Sequence, residues 1–467
     1  MMKPCLSLLL ISFLISHAHA SDWLRFRGEH GAGLVANANL PDEFGPNKNL
    51  KWKVSVPTGT SSPIIVGTRV FLTWATGETR AIQCLDVESG RELWQRPVSK
   101  DHDEPATAPA GPSTPTPVSD GERVYAFYPD TGVFAWDLDG RQLWERGASV
   151  SRTMHGLSSS LVHVDGIVVQ VVDQLNDSSI TAYDAKTGKT VWAKERISGL
   201  TGAYSTPVIY RPQDGPAQII TTGALEVVSY DAKTGERIWW VVGKCNAPVS
   251  SPVLLDDKLF FCEPVGEAIP FSMLAGMDAD KDGKLQQEEG KVSEAIFRLV
   301  GRIDSAWGDG DKAVDKAEWD KAFGSLKGKG GMVAIKVGGE GDVTDANFLW
   351  NFRKAMPYIP GVAVDEDLIL AVNDGGIVTS LDAKTGEQLN KGRLKKGTAK
   401  YYASPVGTAD RVIFADIKGV VSVVSREAKW KTIQTIELNE PIFATPAIAN
   451  DQLFIRTTST LYCFGES

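Results

Sequence analysis

The stretch TAYDAKTGKTVW, from Thr181 to Trp192, decides the fold. It reads as a strand, a tight turn and a second strand: Ala182 and Tyr183 are extended, Asp184 to Gly188 turn on Thr187-Gly188, and Thr190-Val191-Trp192 are extended again. Near-copies recur. Asp86, Ser89, Gly90 and Trp94 repeat its offsets of zero, three, four and eight, and so do Asp231, Thr234, Gly235 and Trp239. Asp382, Thr385 and Gly386 keep the turn but carry Asn390 in the tryptophan position, and at Asp137 the copy is one residue shorter, with Gly140 and Trp144 following. Spacings of 51, 47 and 47 residues between Asp86, Asp137, Asp184 and Asp231 mark a repeat architecture.

A second signature counts the units. Ser62-Pro63, Thr114-Pro115, Thr206-Pro207, Ser251-Pro252, Ser404-Pro405 and Thr445-Pro446 each open a strand, a turn and another strand, as in SPVLLDDKLFFC from Ser251 to Cys262. Ser159-Ser160 opens a seventh run without the proline, and Tyr358-Ile359-Pro360 an eighth. Two strands from each run followed by the Asp-turn-Trp pair make a four-stranded antiparallel unit. Such a unit cannot bury both faces alone, so neighbours stack radially. The sequence therefore predicts an all-β, eight-bladed β-propeller of four-stranded antiparallel blades, with seven blades as the alternative. The last run, Thr445 to Phe464, supplies three strands, and Leu50 to Val56 (LKWKVSV) is an outer strand with no partners of its own. Together they close the ring and remove open sheet edges. Trp94, Trp144, Trp192, Trp239 and Trp350 occupy equivalent outer-strand positions and read as apolar wedges between blades rather than as cofactor platforms.

The formal net charge of −9, with no basic stripe, excludes a broad nucleic-acid surface. Residues 1–20 read as a signal peptide: Lys3, an apolar run from Leu6 to Ile15, and the small-x-small site Ala18-His19-Ala20. The alternative is an uncleaved anchor. No transmembrane segment is expected after its removal, because no later stretch stays apolar over about 18 residues. The expected address is periplasmic or secreted. Four cysteines remain, an even number that permits disulfides in an exported chain. Cys84 and Cys463 fall in a slot filled elsewhere by Ala135, Ala182, Ser229 and Ser380, and read as small buried residues. Cys245 and Cys262 are close in sequence, and their pairing stays open.

Between the propeller parts expected at 21–263 and 331–467, residues 264–330 switch to a helical pattern within the fifth blade. Asp278, Asp280, Asp282, Gly283, Gln286 and Glu289 match D-x-D-x-D-G-x-x-x-x-x-E. Three carboxylates at alternate positions converge on a hard cation, Gly283 allows the bend, Lys284 offers its backbone carbonyl, Gln286 acts directly or through water, and Glu289 closes the sphere with two oxygens. The loop resembles an EF-hand and predicts bound Ca2+ in a small α-helical EF-hand insertion. A partner loop beginning at Trp307 places Asp309, Asp311, Val314 and Glu318 at its third, fifth, eighth and twelfth positions. Trp307 cannot ligate and Lys312 replaces the glycine, so an empty loop is expected. Val292, Ala295, Ile296, Leu299, Val300 and Ile303 have the spacing of a helix core. In an exported protein calcium is expected to be structural rather than a switch.

The pattern A-x-D-x-x-T-G-x-x-x-W resembles the blade motif of pyrrolo-quinoline quinone (PQQ)-type repeat propellers. That group includes quinoprotein alcohol dehydrogenases and the propeller subunit of the outer-membrane β-barrel assembly machinery. Trp23-Leu24-Arg25-Phe26-Arg27-Gly28, GGEGDVTDANFLWNFRK and EPIFATPAIANDQLFIRTTSTLYCF resemble non-enzymatic PQQ-like bacterial proteins. The resemblance covers roughly residues 23 to 465 outside the insertion, and it specifies fold more than activity. A PQQ-dependent dehydrogenase oxidising alcohols or sugars is the alternative function. Enzymes of the group often carry adjacent cysteines, which this sequence lacks, and its calcium loop lies outside the ring. No catalytic or cofactor-binding residue carries over. His30, His102, His155 and His163 belong to no HExxH, and no G-x-S-x-G or glycine-rich phosphate loop is present. His155, Tyr204, Tyr358, Tyr401 and Tyr402 occupy loops before inner strands and are expected at one mouth of the channel, an aromatic site for a peptide or small ligand. The reading is an exported, non-enzymatic scaffold with a protein or peptide partner in the cell envelope.

Overall fold

The computed structural model describes residues 22–466 except 152, 154, 176, 198–201, 244–247, 264–269, 275, 324–330 and 355. The expected signal peptide and Cys245 lie outside these residues. In the repeat turn, the Asp184 carboxylate accepts from the Thr187 N–H at 2.8 Å and the Thr187 hydroxyl at 2.7 Å, while the Gly188 N–H donates to the Asp184 carbonyl. A register shift between Ala182 and Tyr183, set against the strand Thr190–Glu195, starts this turn. The same shift recurs at Cys84/Leu85, Ala135/Trp136, Ser229/Tyr230 and Ser380/Leu381, so the repeated side chains build a repeated bulge.

Eight antiparallel blades of four strands follow: residues 64–99, 118–147, 162–195, 208–242, 253–352, 363–393, 406–437, and 447–464 completed by 50–55; the fourth gains a short fifth strand, Gly341–Asp342, which pairs parallel with its outer strand Arg237–Val242. In the last of these, Leu50–Ser55 pairs antiparallel with Thr460–Phe464, so strands from both ends of the chain share one blade. The core lies between blades. The Trp192 ring of blade three packs with Ile219, Val228 and Tyr230 of blade four, and its indole N–H donates to the Ala232 carbonyl at 3.0 Å. Trp52, Trp94, Trp144 and Trp350 make the same bond to Val87, Leu138, Ala185 and Ala383.

Where a tryptophan is missing, other residues fill the wedge. Blade six carries Asn390, and Trp430 from the turn of blade seven covers Gly392, while the Ser380 hydroxyl donates to the Ala428 carbonyl at 2.7 Å. Blade seven carries Gln434, whose amide donates to the carbonyl of Phe44, a buried ring from the segment before blade one. Cys84, Cys262 and Cys463 are free, buried thiols, and burial pushes each up to about 12.

The fifth blade is interrupted between its second strand, Lys258–Glu263, and its third, Gly331–Lys336. Among the described residues two α-helices lie in the interruption: α1 (Glu294–Trp307) and α2 (Lys316–Phe323). Leu299, Val300 and Ile303 are buried, as expected, with Ile296 packed against them, but the core they join is not confined to the insertion. It includes Ile197, Leu225 and Val242 of the propeller. Arg298 pairs with Asp177 at 2.7 Å and Arg302 pairs with Glu195, so α1 is clamped to blade three. Among the described residues no helix is long and apolar enough to cross a membrane.

Candidate functional site

The residue opening each blade faces the channel axis, and seven of the eight are Ser or Thr; in blade two it is Thr116, two residues after the Thr114 that the sequence pattern picked out. Their hydroxyls link the blades in a circle. Backbone N–H groups of Ser62, Thr116, Ser160 and Thr206 donate to the side-chain oxygens of Thr116, Ser160, Thr206 and Ser251 at 2.9–3.0 Å. Gly361, Ser404 and Thr445 donate in turn to Ser404, Thr445 and Ser62. Each bond stabilises by about 0.5–1.5 kcal/mol. The circle lacks a hydroxyl only at blade six, where Gly361 stands.

One end of the channel is closed by the segment after Asp22. Trp23 forms a bridge to Ile65 of blade one, the Leu24 carbonyl accepts from the Ser119 N–H, and Leu34 forms a bridge to Gly407 of blade seven. Between them the chain crosses the axis and turns Phe26 into the cavity. Arg25 donates to the Pro207 carbonyl of blade four, and Arg27 donates to the Val362 carbonyl of blade six at 2.6 Å. The result is a blind cavity of about 310 Å3.

The open end carries aromatic side chains. The rings of His155 and Tyr204 lie 5.9 Å apart, His155 Nδ1 is 3.2 Å from the Thr107 hydroxyl, and Tyr402 meets Phe443 edge-on at 5.6 Å. Tyr358 is 55% exposed. His155, Tyr204 and Tyr358 thus line one cavity, as their positions before inner strands suggested. Tyr401 does not. It is 2% exposed, packs with Leu394, Val412 and Phe414, and donates its hydroxyl to the Gly397 carbonyl. Successive residues of an extended chain point to opposite sides, so Tyr402 takes the rim and its neighbour takes the core.

In an antiparallel blade whose first strand leaves the mouth, the second strand returns to it, so hairpins between second and third strands lie on the mouth face. The insertion interrupts such a hairpin and therefore emerges on that face. There the Asp278, Asp280 and Asp282 carboxylates offer oxygens within 4.8 Å of one another. The Gly283 N–H, at φ +87°, donates to Asp278, and Glu289 accepts from the N–H groups of Ala279 and Gln286. Asp278 Oδ1 and Gln286 Oε1 are shielded from water and accept no hydrogen bond. The Asp280 carboxyl is shifted upward: an Asp282 N–H bond opposes the shift, but burial and the charges of Asp282 and Glu289 outweigh it. Bare acceptors and mutually repelling carboxylates converging on one point fit a hard cation.

Leu285 pairs with Val314 in a two-stranded bridge that joins this loop to the second one. The second loop is more regular than its sequence suggested. Buried Asp304, in the last turn of α1, accepts from the N–H groups of Gly310 and Lys312, the task Asp278 performs for Gly283 in the first loop. Helical geometry brings it to the position Trp307 leaves without a ligand, a substitution that linear spacing does not reveal. The Lys284 ammonium reaches Asp311 and places a positive charge at this second cluster.

A family description of outer membrane protein assembly factor BamB matches residues 46–202. The chain is 22% identical over 421 residues to the protein of that name from Burkholderia pseudomallei (strain K96243), covering 89% of this chain and 87% of the relative. Its fold is similar to that of BamB from Moraxella catarrhalis, with a TM-score of 0.54, 12% identity, and coverage of 89% and 97% of the two chains. It is also similar to quinohemoprotein alcohol dehydrogenase from Comamonas testosteroni, with a TM-score of 0.59, 10% identity, and coverage of 96% of this chain and 81% of the enzyme.

Proposed function

We propose that the chain is an exported, non-enzymatic β-propeller that holds protein or peptide partners of the cell envelope on its mouth face, with Ca2+ bound at Asp278, Asp280, Asp282, Lys284, Gln286 and Glu289. The observation that carries this reading is the cavity lining. Among the described residues it offers hydroxyls, aromatic rings and His155, but no carboxylate, amide or thiol side chain. A quinone–calcium centre needs carboxylate and amide ligands and a base beside the cofactor. The relative aligned over most of both chains is named an assembly factor, whereas the likeness to a dehydrogenase lies at the level of fold. Export follows from the signal-peptide pattern of residues 1–20. Calcium in this reading is a staple for the insertion, since exported modules meet calcium levels that fill even weak sites.

The test is capture from the native envelope followed by measured binding of each isolated partner to the wild type and to the doubly substituted His155→Ala, Tyr358→Ala protein. Loss of exposed aromatic contacts at the mouth lowers affinity roughly tenfold or more if the partner docks there. Unchanged affinity for every partner removes the mouth from the account.

A further inference from the structure

The net charge of −9 is unevenly spread. From Gln388 to Ala409 the chain carries Lys391, Arg393, Lys395, Lys396 and Lys400 and no Asp or Glu. This run leaves the outer strand of blade six and crosses the mouth face to open blade seven, and all five cations are exposed. A second group, Arg353 and Lys354, both exposed, stands where the chain leaves blade five for blade six, with no acidic residue before Asp365. The two connections meet at the collar, where the Gly361 N–H donates to the Ser404 hydroxyl at 3.0 Å. The fold thus joins into one basic sector two stretches that are apart in sequence. Each connection also delivers an aromatic ring to the cavity rim, Tyr358 from the first and Tyr402 from the second.

The sector is held in place, and its charges point outward. The Ala399 carbonyl accepts from the Gly375 N–H and the Lys400 carbonyl from the Ile417 N–H, both at 3.0 Å, so hairpins of blades six and seven grip the run from either side. The carboxylates of those hairpins are engaged by backbone. Asp416, 1% exposed, accepts from the N–H groups of Ala399, Lys418 and Val420, and Asp374 accepts from that of Tyr401. Lys396 pairs with Glu437 at 2.6 Å, but Lys354, Lys395 and Lys400 pair with no carboxylate among the described residues. The rest of the face has the opposite sign. Four blades away, the connection between blades one and two carries exposed Asp101 and Asp103, and the insertion brings Asp278, Asp280 and Asp282 to the same side.

We propose that this basic sector docks an acidic segment of the partner polypeptide, laid over blade six and leading to the mouth at Tyr358 and Tyr402. The proposal rests on the mouth face being where partners bind. Cations without intramolecular partners give up no ion pair when they meet carboxylates, and they gain charge-assisted hydrogen bonds and faster encounter. A broad anionic surface such as a bilayer would have to cover the acidic parts of the same face as well, where like charges oppose it. A polypeptide a few residues wide covers the basic sector alone.

The experiment titrates the full-length protein into fluorescently labelled hexaglutamate and follows anisotropy. The wild type binds, and binding weakens as salt is raised. Lys395→Glu combined with Lys400→Glu weakens it roughly tenfold or more. Lys186→Glu combined with Lys233→Glu, at exposed lysines of repeat turns on the opposite face, changes the net charge equally and leaves binding as in the wild type. Absence of hexaglutamate binding, or equal losses in the two pairs, overturns the proposal. Co-sedimentation with phosphatidylglycerol vesicles that the Lys395, Lys400 reversal abolishes, without hexaglutamate binding, assigns the sector to a membrane and overturns the polypeptide. His155→Ala combined with Tyr358→Ala keeps every lysine and binds hexaglutamate as the wild type does. Envelope partners that ignore this alanine pair remove the mouth reading, whereas hexaglutamate that ignores the lysine reversal removes the acidic segment, so the two failures are distinct.

Discussion

Gly188 sits at φ +66°, and a Cβ there would lie 2.5 Å from the ring of Trp144, in the preceding blade. The glycine is needed twice, for its backbone conformation and for the flat surface it gives a neighbouring tryptophan. Gly90, Gly140, Gly235 and Gly386 stand in the same relation to Trp52, Trp94, Trp192 and Trp350. The repeat is therefore a lock between blades: the tryptophan of one unit closes on the glycine of the next. Asp184, Gly188 and Trp192 were legible as a unit from their spacing, but the partner of each was not, because spacing within a repeat says nothing about contacts between repeats. Trp192→Ala removes a buried wedge and leaves the Ala232 carbonyl without its indole donor, and it should lower unfolding free energy by about 3–5 kcal/mol. Asn390→Ala, at the equivalent position where Trp430 has taken over, should stay within about 0.5 kcal/mol. Denaturant titration of both variants separates the two, and equal losses contradict the wedge.

The insertion shows what spacing reaches and what it misses at the scale of an element. That Asp278, Asp280 and Asp282 lie together was readable because they stand at fixed offsets along an uninterrupted chain. The place of Asp304 was not, since its carboxylate arrives from the last turn of α1, before the loop's first position at Trp307. Nor did the sequence show that α1 packs on blades three and four rather than forming a separate unit. Tyr401 was misplaced for a simpler reason: the turn before blade seven fixes which of two adjacent tyrosines faces inward, and a shift of one residue exchanges the two faces. Glu289 is the residue on which the proposed calcium site turns, since in that proposal it would close the coordination sphere with two oxygens. Calorimetry on the wild type should show calcium binding, and Glu289→Gln should weaken it roughly tenfold or more, because one charge and one bidentate ligand are lost. Equal titration of both proteins refutes the site.

At the scale of the whole molecule, eight blades joined by a hydroxyl circle leave a rigid ring with two different ends. One end is sealed by the segment from Trp23 to Leu34, and the other carries the aromatic rim. The insertion emerges beside that rim, so the three features that depart from the repeat all concern the channel or its mouth. The count of blades and the closure by Leu50–Ser55 could be read from the sequence, because repeats announce their own number. The sealed floor could not, since Arg25, Phe26 and Arg27 belong to no repeat and reach blades far away in sequence. The measurement that bears most directly on function adds PQQ and calcium to the purified protein and follows quinone absorbance and dye reduction with primary alcohols. A scaffold with no carboxylate in its described cavity lining gives neither stoichiometric quinone uptake nor turnover. Sustained dye reduction dependent on both PQQ and calcium would establish a dehydrogenase and contradict the scaffold.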